Sequence, residues 1–323
     1  MSGIEKPAPS LLLSAKPKVP MPKDPDTLPA SKRATYFATN LGARACIGAA
    51  LALPYRWRVP FMGWVFSRVI APVAGFLRRA EDHVTFILPY LPRAEQKRIA
   101  RASLSNAGRT LIENYSTKAL LARQKDADIE GPGIEALEQA AKAGKPVILV
   151  TGHFGNYEAV RAALVARGYD VGGLYRDMAN PYFNAHYVQT MQAFGGPVFA
   201  QGRKGTAGFV RHLKAGGQLV LLFDQHVIDA PVLTFLGQKA HTAVSAAELA
   251  MRYDALLIPF YGIRTGDGLS FECVMEEPIP HSDAETMTQA MNDSISARIR
   301  AHPEQWLWVA RRWRDSANAA PEG

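Results

Sequence analysis

Cysteine is nearly missing from this 323-residue chain: Cys46 and Cys273 are the only two. That excludes a disulfide framework and a structural zinc site built from clustered cysteines. Long apolar runs are missing as well. Between Tyr36 and Leu77 the chain is dense in Ala, Leu, Val and aromatic residues, yet Arg44, Arg56, Arg58 and Arg68 interrupt it. Its longest charge-free run extends only from Ala45 to Tyr55, well short of the ~20 residues that cross a bilayer. Nearer the start, Leu11 to Leu13 is too short for the apolar region of a signal peptide. There is no HExxH or other zinc-ligand spacing, no Walker A loop, no GxGxxG and no GxSxG elbow. Metal hydrolysis, nucleotide binding and covalent serine or cysteine chemistry therefore lack a local signature.

Acidic residues are also outnumbered. Against 29 Asp and Glu stand 37 Lys and Arg, for a net charge of +8 and a pI near 9.5. Such a surface favours an acidic partner: an anionic membrane face, an acidic carrier protein, a phosphorylated substrate or nucleic acid. No recognisable RNA or DNA module accompanies the charge, so a nucleic-acid partner is not expected.

What is present is a large core, with 48% hydrophobic residues, and a regular order of elements. Residues 1–35 include a stretch with seven prolines and no apolar period, which reads as a disordered leader. Residues 36–100 read as helical. The arginines interleaved with Trp57, Phe61, Trp64 and Phe66 fit either helices lying in a membrane interface or a helical pair with a basic outer face. Residues 101–315 alternate apolar strands with amphipathic helices, the pattern of an α/β domain with a mixed, mostly parallel central sheet flanked by helices. Residues 316–323 read as a disordered tail.

The most informative stretch is Pro146 to Glu158, PVILVTGHFGNYE. Four consecutive apolar residues, Val147 to Val150, predict a strand covered on both faces. Gly152 and Gly155 permit a turn, and Asn156 is placed to cap the helix that follows. His153 and Glu158 would lie ~140° apart on a continuous helix. They meet only if His153 sits in the loop and Glu158 in the first helical turn. A histidine held by an acid at a sheet's carboxyl edge is the base-plus-orienter arrangement that deprotonates a hydroxyl; a structural histidine is the competing reading.

Other candidates follow later strands. Arg176, in LYRDMAN, is placed to stabilise an oxyanion or clamp a phosphate, or to serve as a surface ion-pair partner. Asp224 and Gln225 close the strand LVLLFDQ, where Asp224 binds a polar substrate group or caps a turn. Arg203, Lys204, Arg211 and Lys214 cluster on one expected helix, and Arg311, Arg312 and Arg314 interleave with Trp306, Trp308 and Trp313. Each cluster fits a solvated face, an acidic carrier or an anionic lipid head.

Five blocks carry a resemblance: HFGNYE at His153, LYRDMANP, LLFDQ, the run from Phe235 to Arg264, and HPEQWLWVARRWR from His302. Together they resemble the late lauroyl and myristoyl acyltransferases of lipid A biosynthesis, from about Arg101 to Arg314. The resemblance implies a glycerolipid-acyltransferase-like fold and transfer of an acyl group from acyl carrier protein to a hydroxyl of a lipid A precursor. It also implies a peripheral or monotopic place on the cytoplasmic face of the inner membrane, with no metal and no cofactor beyond the thioester donor. In that scheme His153 is the base, Glu158 orients it and Arg176 stabilises the oxyanion. Asn156, Asp224, Gln225, Arg203 and Lys204 contact substrates. The family's hydrophobic anchor helix is replaced here by the Pro-rich leader and an Arg-interrupted segment. Alternatives are acylation of another glycolipid or a lysolipid from acyl-CoA, and an inactive membrane-bound scaffold.

Overall fold

A computed structural model describes residues 24–313. Much of the expected leader and the whole expected tail lie outside the described residues. Within the expected leader, residues 30–35 already belong to the first helix, α1 (Ala30–Leu51), so the helical region begins earlier than composition indicated. It is followed by α2 (Tyr55–Val65), a π-helical continuation Phe66–Ile70, α3 (Ala71–Val73), α4 (Phe76–Ile87), α5 (Arg93–Tyr115) and α6 (Thr117–Gln124). Among the described residues no single helix is long and apolar enough to cross a membrane. Only the pair Tyr55–Val73 and Phe76–Ile87 reaches that length and composition together, and it bends by 93°.

The remaining elements in chain order are β1 (Ile129–Glu130), α7 (Gly133–Lys142), β2 (Val147–Thr151), α8 (Tyr157–Ala166), β3 (Val171–Tyr175), α9 (Pro181–Gln192), β4 (Val198–Ala200) and α10 (Arg203–Lys214). Then come β5 (Gln218–Leu222), β6 (Val232–Phe235), β7 (Gln238–His241), α11 (Ser245–Tyr253), β8 (Leu256–Arg264), β9 (Phe271–Met275) and α12 (Ala284–Ala301). Seven strands form one sheet in the order β1-β9-β8-β2-β5-β3-β4. The five strands from β8 to β4 run parallel; β9 returns antiparallel to β8, and β1 follows β9. The fold is therefore the expected mixed α/β sheet flanked by helices.

Alternation along β2 explains its unbroken apolar run. Ile148 and Val150 enter one core with α4, α5, α11 and α12, while Val147 and Leu149 enter the core on the other face with α7 and α8. A strand buried on both faces has no polar side to show. The chain also crosses over at β2: β5 and β3 lie on one side of it and β8 on the other, which creates a switch point in strand order, the usual place for a ligand crevice in an open α/β sheet.

A two-stranded hairpin, β6–β7, turns at Leu236 and Gly237, both at positive φ (52° and 83°). Such a turn suits the right-handed twist of its strands. The aromatic C-terminal segment is core rather than a solvated face: Trp306, Trp308, Trp313 and Arg312 are all buried. Arg312 donates to the carbonyl of His241 and to Thr242 Oγ1, and its guanidinium lies 4.6 Å from the Phe235 ring centroid. These partners allow a charged residue to be buried there.

Candidate active site

The register of β2 and β5 builds the site. Thr151 pairs with Leu222, so the residues two further along each strand, His153 and Asp224, emerge side by side at the carboxyl edge. A hydrogen bond from Phe223 N to Thr151 O (3.1 Å) continues the pairing into the loop. His153 Nδ1 lies 2.8 Å from Asp224 Oδ1, and the backbone N–H of His153 donates to Oδ2 at 2.7 Å. Trp306 Nε1–H adds a third bond to Oδ2, at 2.9 Å. The carboxylate is fully buried, while a quarter (26%) of the His153 side chain is accessible.

This arrangement fixes the tautomer. A carboxylate only accepts, so Nδ1 carries the proton and the lone pair of neutral His153 sits on Nε2. Burial alone would lower the histidine's pKa, but the Asp224 charge and hydrogen bond outweigh it and leave the pKa raised. For Asp224, burial pushes upward, and the His153 charge with the three hydrogen bonds overcomes it, leaving the carboxyl below its ordinary value.

Two glycines make room. A Cβ on Gly152 would stand 2.2 Å from Ile295 Cδ1 and 2.7 Å from Asp224 Oδ2. Gly155 has φ 54°, and a Cβ there would meet Gly262 O at 2.0 Å. The loop is then clamped from three sides. Gly155 N donates to Gln305 O (3.0 Å), Asn156 N donates to Gly262 O (2.8 Å), and α5 supplies Asn106 and Thr110 to Gly155 O. Asn156 caps α8 by accepting from Glu158 N, and its Nδ2 donates to Glu113 Oε2 at 2.8 Å. Glu113 is itself held by both terminal nitrogens of Arg264, at 2.6 and 2.7 Å. Asn156 is fully buried, so the structure gives it a positioning place in the loop rather than a substrate contact.

The expected role of Glu158 is corrected. It does fall in the first turn of α8, as the spacing required, but its carboxylate bonds Arg161 at 3.0 Å, both side chains being about 2% exposed. No hydrogen bond joins it to His153 among the described residues. Arg161 continues to the carbonyls of Val171 and Gly195, so the pair ties α8 to β3 and to the loop before β4. Three residues further along a helix is the nearest available cation, and a buried carboxylate needs one. The acid that holds His153 is Asp224.

Arg176 directly follows β3 on the same parallel edge, and its side chain is exposed. Gln225, next to Asp224, and Lys204, at the start of α10, are exposed as well. Arg203 opens α10, and its side chain lies outside the described residues. No group of three or more His, Cys, Asp or Glu residues among the described ones is arranged to hold a metal ion.

Fold and site together define an α/β protein whose sheet edge presents a histidine held by a buried carboxylate. Residues 26–315 match the family described as bacterial lipid A biosynthesis acyltransferase, and the chain belongs to that family. It is similar to a lipid A biosynthesis acyltransferase of Haemophilus influenzae, with 26% identity over 180 residues, covering 55% of this chain and 56% of the relative. A lipid A biosynthesis lauroyltransferase of Escherichia coli is 25% identical over 244 residues, 72% of this chain and 77% of that one. A phosphatidylinositol mannoside acyltransferase of Mycobacterium tuberculosis is 24% identical over 235 residues, 70% and 74% of the two chains. The match thus spans little more than half the length of the H. influenzae relative.

Proposed function

We propose that this chain is an O-acyltransferase that moves a fatty acyl group from an acyl carrier protein thioester to a hydroxyl of a lipid A-type glycolipid. Family membership and the H. influenzae and E. coli relatives support the reaction and the acceptor class. The observation that carries the mechanism is the 2.8 Å contact between His153 Nδ1 and Asp224.

With Nδ1–H committed to Asp224, Nε2 takes the proton of the acceptor hydroxyl while its oxygen attacks the thioester carbonyl carbon. Asp224 stabilises the imidazolium that forms. The tetrahedral intermediate then collapses with cleavage of the C–S bond, and the imidazolium returns its proton to the departing thiolate. Ester and free thiol leave, with no acyl-enzyme and no cofactor beyond the donor. Arg176 stabilises the oxyanion from the end of β3, a role worth ~10²-fold or more. Gln225 and Lys204 contact the substrates from the same edge, and Glu158 and Asn156 hold the loop and helix that carry the base. The chain works as a peripheral or monotopic protein on the cytoplasmic face of the inner membrane. In support, Trp57, Phe61 and Trp64 are exposed beside arginines on α2.

A second reading keeps the chemistry and changes the acceptor to another glycolipid, supported by the similarity to the phosphatidylinositol mannoside acyltransferase. The test supplies purified protein with acyl carrier protein thioester or acyl-CoA, and with a lipid A precursor or a phosphatidylinositol mannoside. Turnover fastest with the carrier thioester and the lipid A precursor supports the first reading. A preference for the mannoside replaces it with the second.

A further inference from the structure

Away from the His153 edge, α2 and α5 enclose an open groove of about 660 Å³. Five cations line it: Arg68, Lys97, Arg98, Arg101 and Arg109, with Trp64 at its side and no carboxylate among the lining residues. Only Arg98 has a carboxylate within ion-pair distance among the described residues, Glu95 at 2.6 Å. Arg101 holds a buried Nε donor with no acceptor. With Arg98 paired to Glu95 and Arg109 donating to Gly268 O at 3.1 Å, Arg68, Lys97 and Arg101 are left without a carboxylate partner among the described residues, and a groove of that charge is complementary to a multiply charged oxygen anion.

The floor of the groove is stiff. A Cβ on Gly63 would meet Ser105 Oγ at 2.7 Å, and one on Gly108 would meet Met62 O at 2.5 Å, so α2 and α5 touch at backbone distance. The rim on the α2 side is apolar. Trp57, Phe61, Trp64 and Arg68 recur at i, i+4, i+7 and i+11, and the three aromatics are 56%, 41% and 57% exposed. An aromatic stripe running directly into a cationic groove matches the boundary between acyl chains and headgroups, where rings sit at headgroup level and guanidinium groups reach phosphates. An acidic protein surface would satisfy the charges and leave the stripe in water.

We infer that the α2–α5 groove binds the phosphate-bearing headgroup of an anionic membrane lipid, separately from the acyl-transfer site. This inference rests on the membrane-docked reading above. It also gives α5 two faces with different tasks: the groove on one, and on the other Ser103, Asn106 and Thr110, which hold Trp306 O and Gly155 O beside the candidate base.

The test is co-sedimentation of the full chain with vesicles of phosphatidylcholine alone and of phosphatidylcholine containing about one-third phosphatidylglycerol. The groove variant is Arg68→Gln/Lys97→Gln/Arg101→Gln, and the charge-matched control is Lys118→Gln/Lys125→Gln/Lys142→Gln, all three exposed and none of them among the groove's lining residues. The wild type should prefer the anionic vesicles. The groove variant should lose about 100-fold in affinity for them, three charges at roughly fivefold each. The control should lose less than about threefold, and His153→Ala should bind as wild type does. Equal losses in groove variant and control overturn the groove while leaving membrane docking intact, as does equal wild-type binding to both vesicles. Retained vesicle binding with lost binding of acyl carrier protein assigns the groove to the acidic protein and overturns the inference. Binding to neither vesicle overturns groove and docking together, whereas the acyl-transfer chemistry stands or falls on the turnover of His153→Ala.

Discussion

Asp224 spends both carboxylate oxygens on His153: Oδ1 meets the ring Nδ1 at 2.8 Å and Oδ2 accepts the backbone N–H at 2.7 Å. Ring and main chain are thereby fixed by one side chain, and Trp306 holds that side chain from behind. With the carboxylate held by three donors and Nδ1–H committed to Oδ1, neutral His153 keeps one tautomer and its lone pair on Nε2.

Asp224→Asn removes the charge that raises the pKa of His153 and leaves burial, which lowers it. The acid limb of kcat/KM should move to lower pH while the maximum rate falls ~10²- to 10⁴-fold. A pH–rate profile checks both. An unshifted limb would mean that Asp224 does not set the base.

The same pair makes stability depend on pH from both sides. A depressed Asp224 contributes stability that is present above its unfolded pKa and is lost as pH falls through its folded value. A raised His153 contributes stability that is complete below its unfolded pKa and is lost as pH rises through its folded value. The difference in unfolding free energy between wild type and His153→Ala, followed by denaturant titration, should peak between those two folded pKa values. A pH-independent difference would contradict the pair.

Glu158 and Arg161 form a buried ion pair, so Glu158→Ala leaves an uncompensated guanidinium and should cost ~3–5 kcal/mol. Replacing both partners, Glu158→Leu with Arg161→Met, should recover much of that loss. Any activity that survives in Glu158→Ala should keep the wild-type acid limb, because Glu158 does not touch the base. A shifted limb would restore Glu158 as the orienter.

Gly152→Ala should slow turnover even in the protein that stays folded, since the new methyl presses on Asp224 Oδ2 and on the flexible end of Ile295. A loss of 10-fold or more in kcat per folded molecule, with unfolding changed by ~1–3 kcal/mol, is the expected result. Wild-type kcat per folded molecule would place the glycine in the fold alone.

Local chemistry made much of this fold readable. The run Val147 to Val150 signals a strand covered on both faces, and Asn156 caps α8 as its position before the helix implied. What local sequence could not give is which acid reaches His153. Glu158 is near in the chain, but Asp224 is near in space, because the Thr151–Leu222 register is a long-range pairing with no local signal. The signal that was available is the matched geometry of two strands, each ending two residues before a polar side chain. The C-terminal tryptophans misled for a related reason. WLWVARRW has the composition of an interface, yet Trp306 is drawn inside by Asp224, and Arg312 by Thr242 and a carbonyl. Their partners lie at or just past the ends of strands far away in sequence. The β6–β7 turn has no local signal at its first position, because Leu236 occupies a left-handed conformation usually held by Asn, Asp or Gly.

The most direct measurement is the turnover of His153→Ala with acyl carrier protein thioester and a lipid A precursor, on protein shown to be folded. With the base removed, kcat should fall at least ~10²-fold. Near-wild-type turnover would contradict general base catalysis by the His153–Asp224 pair.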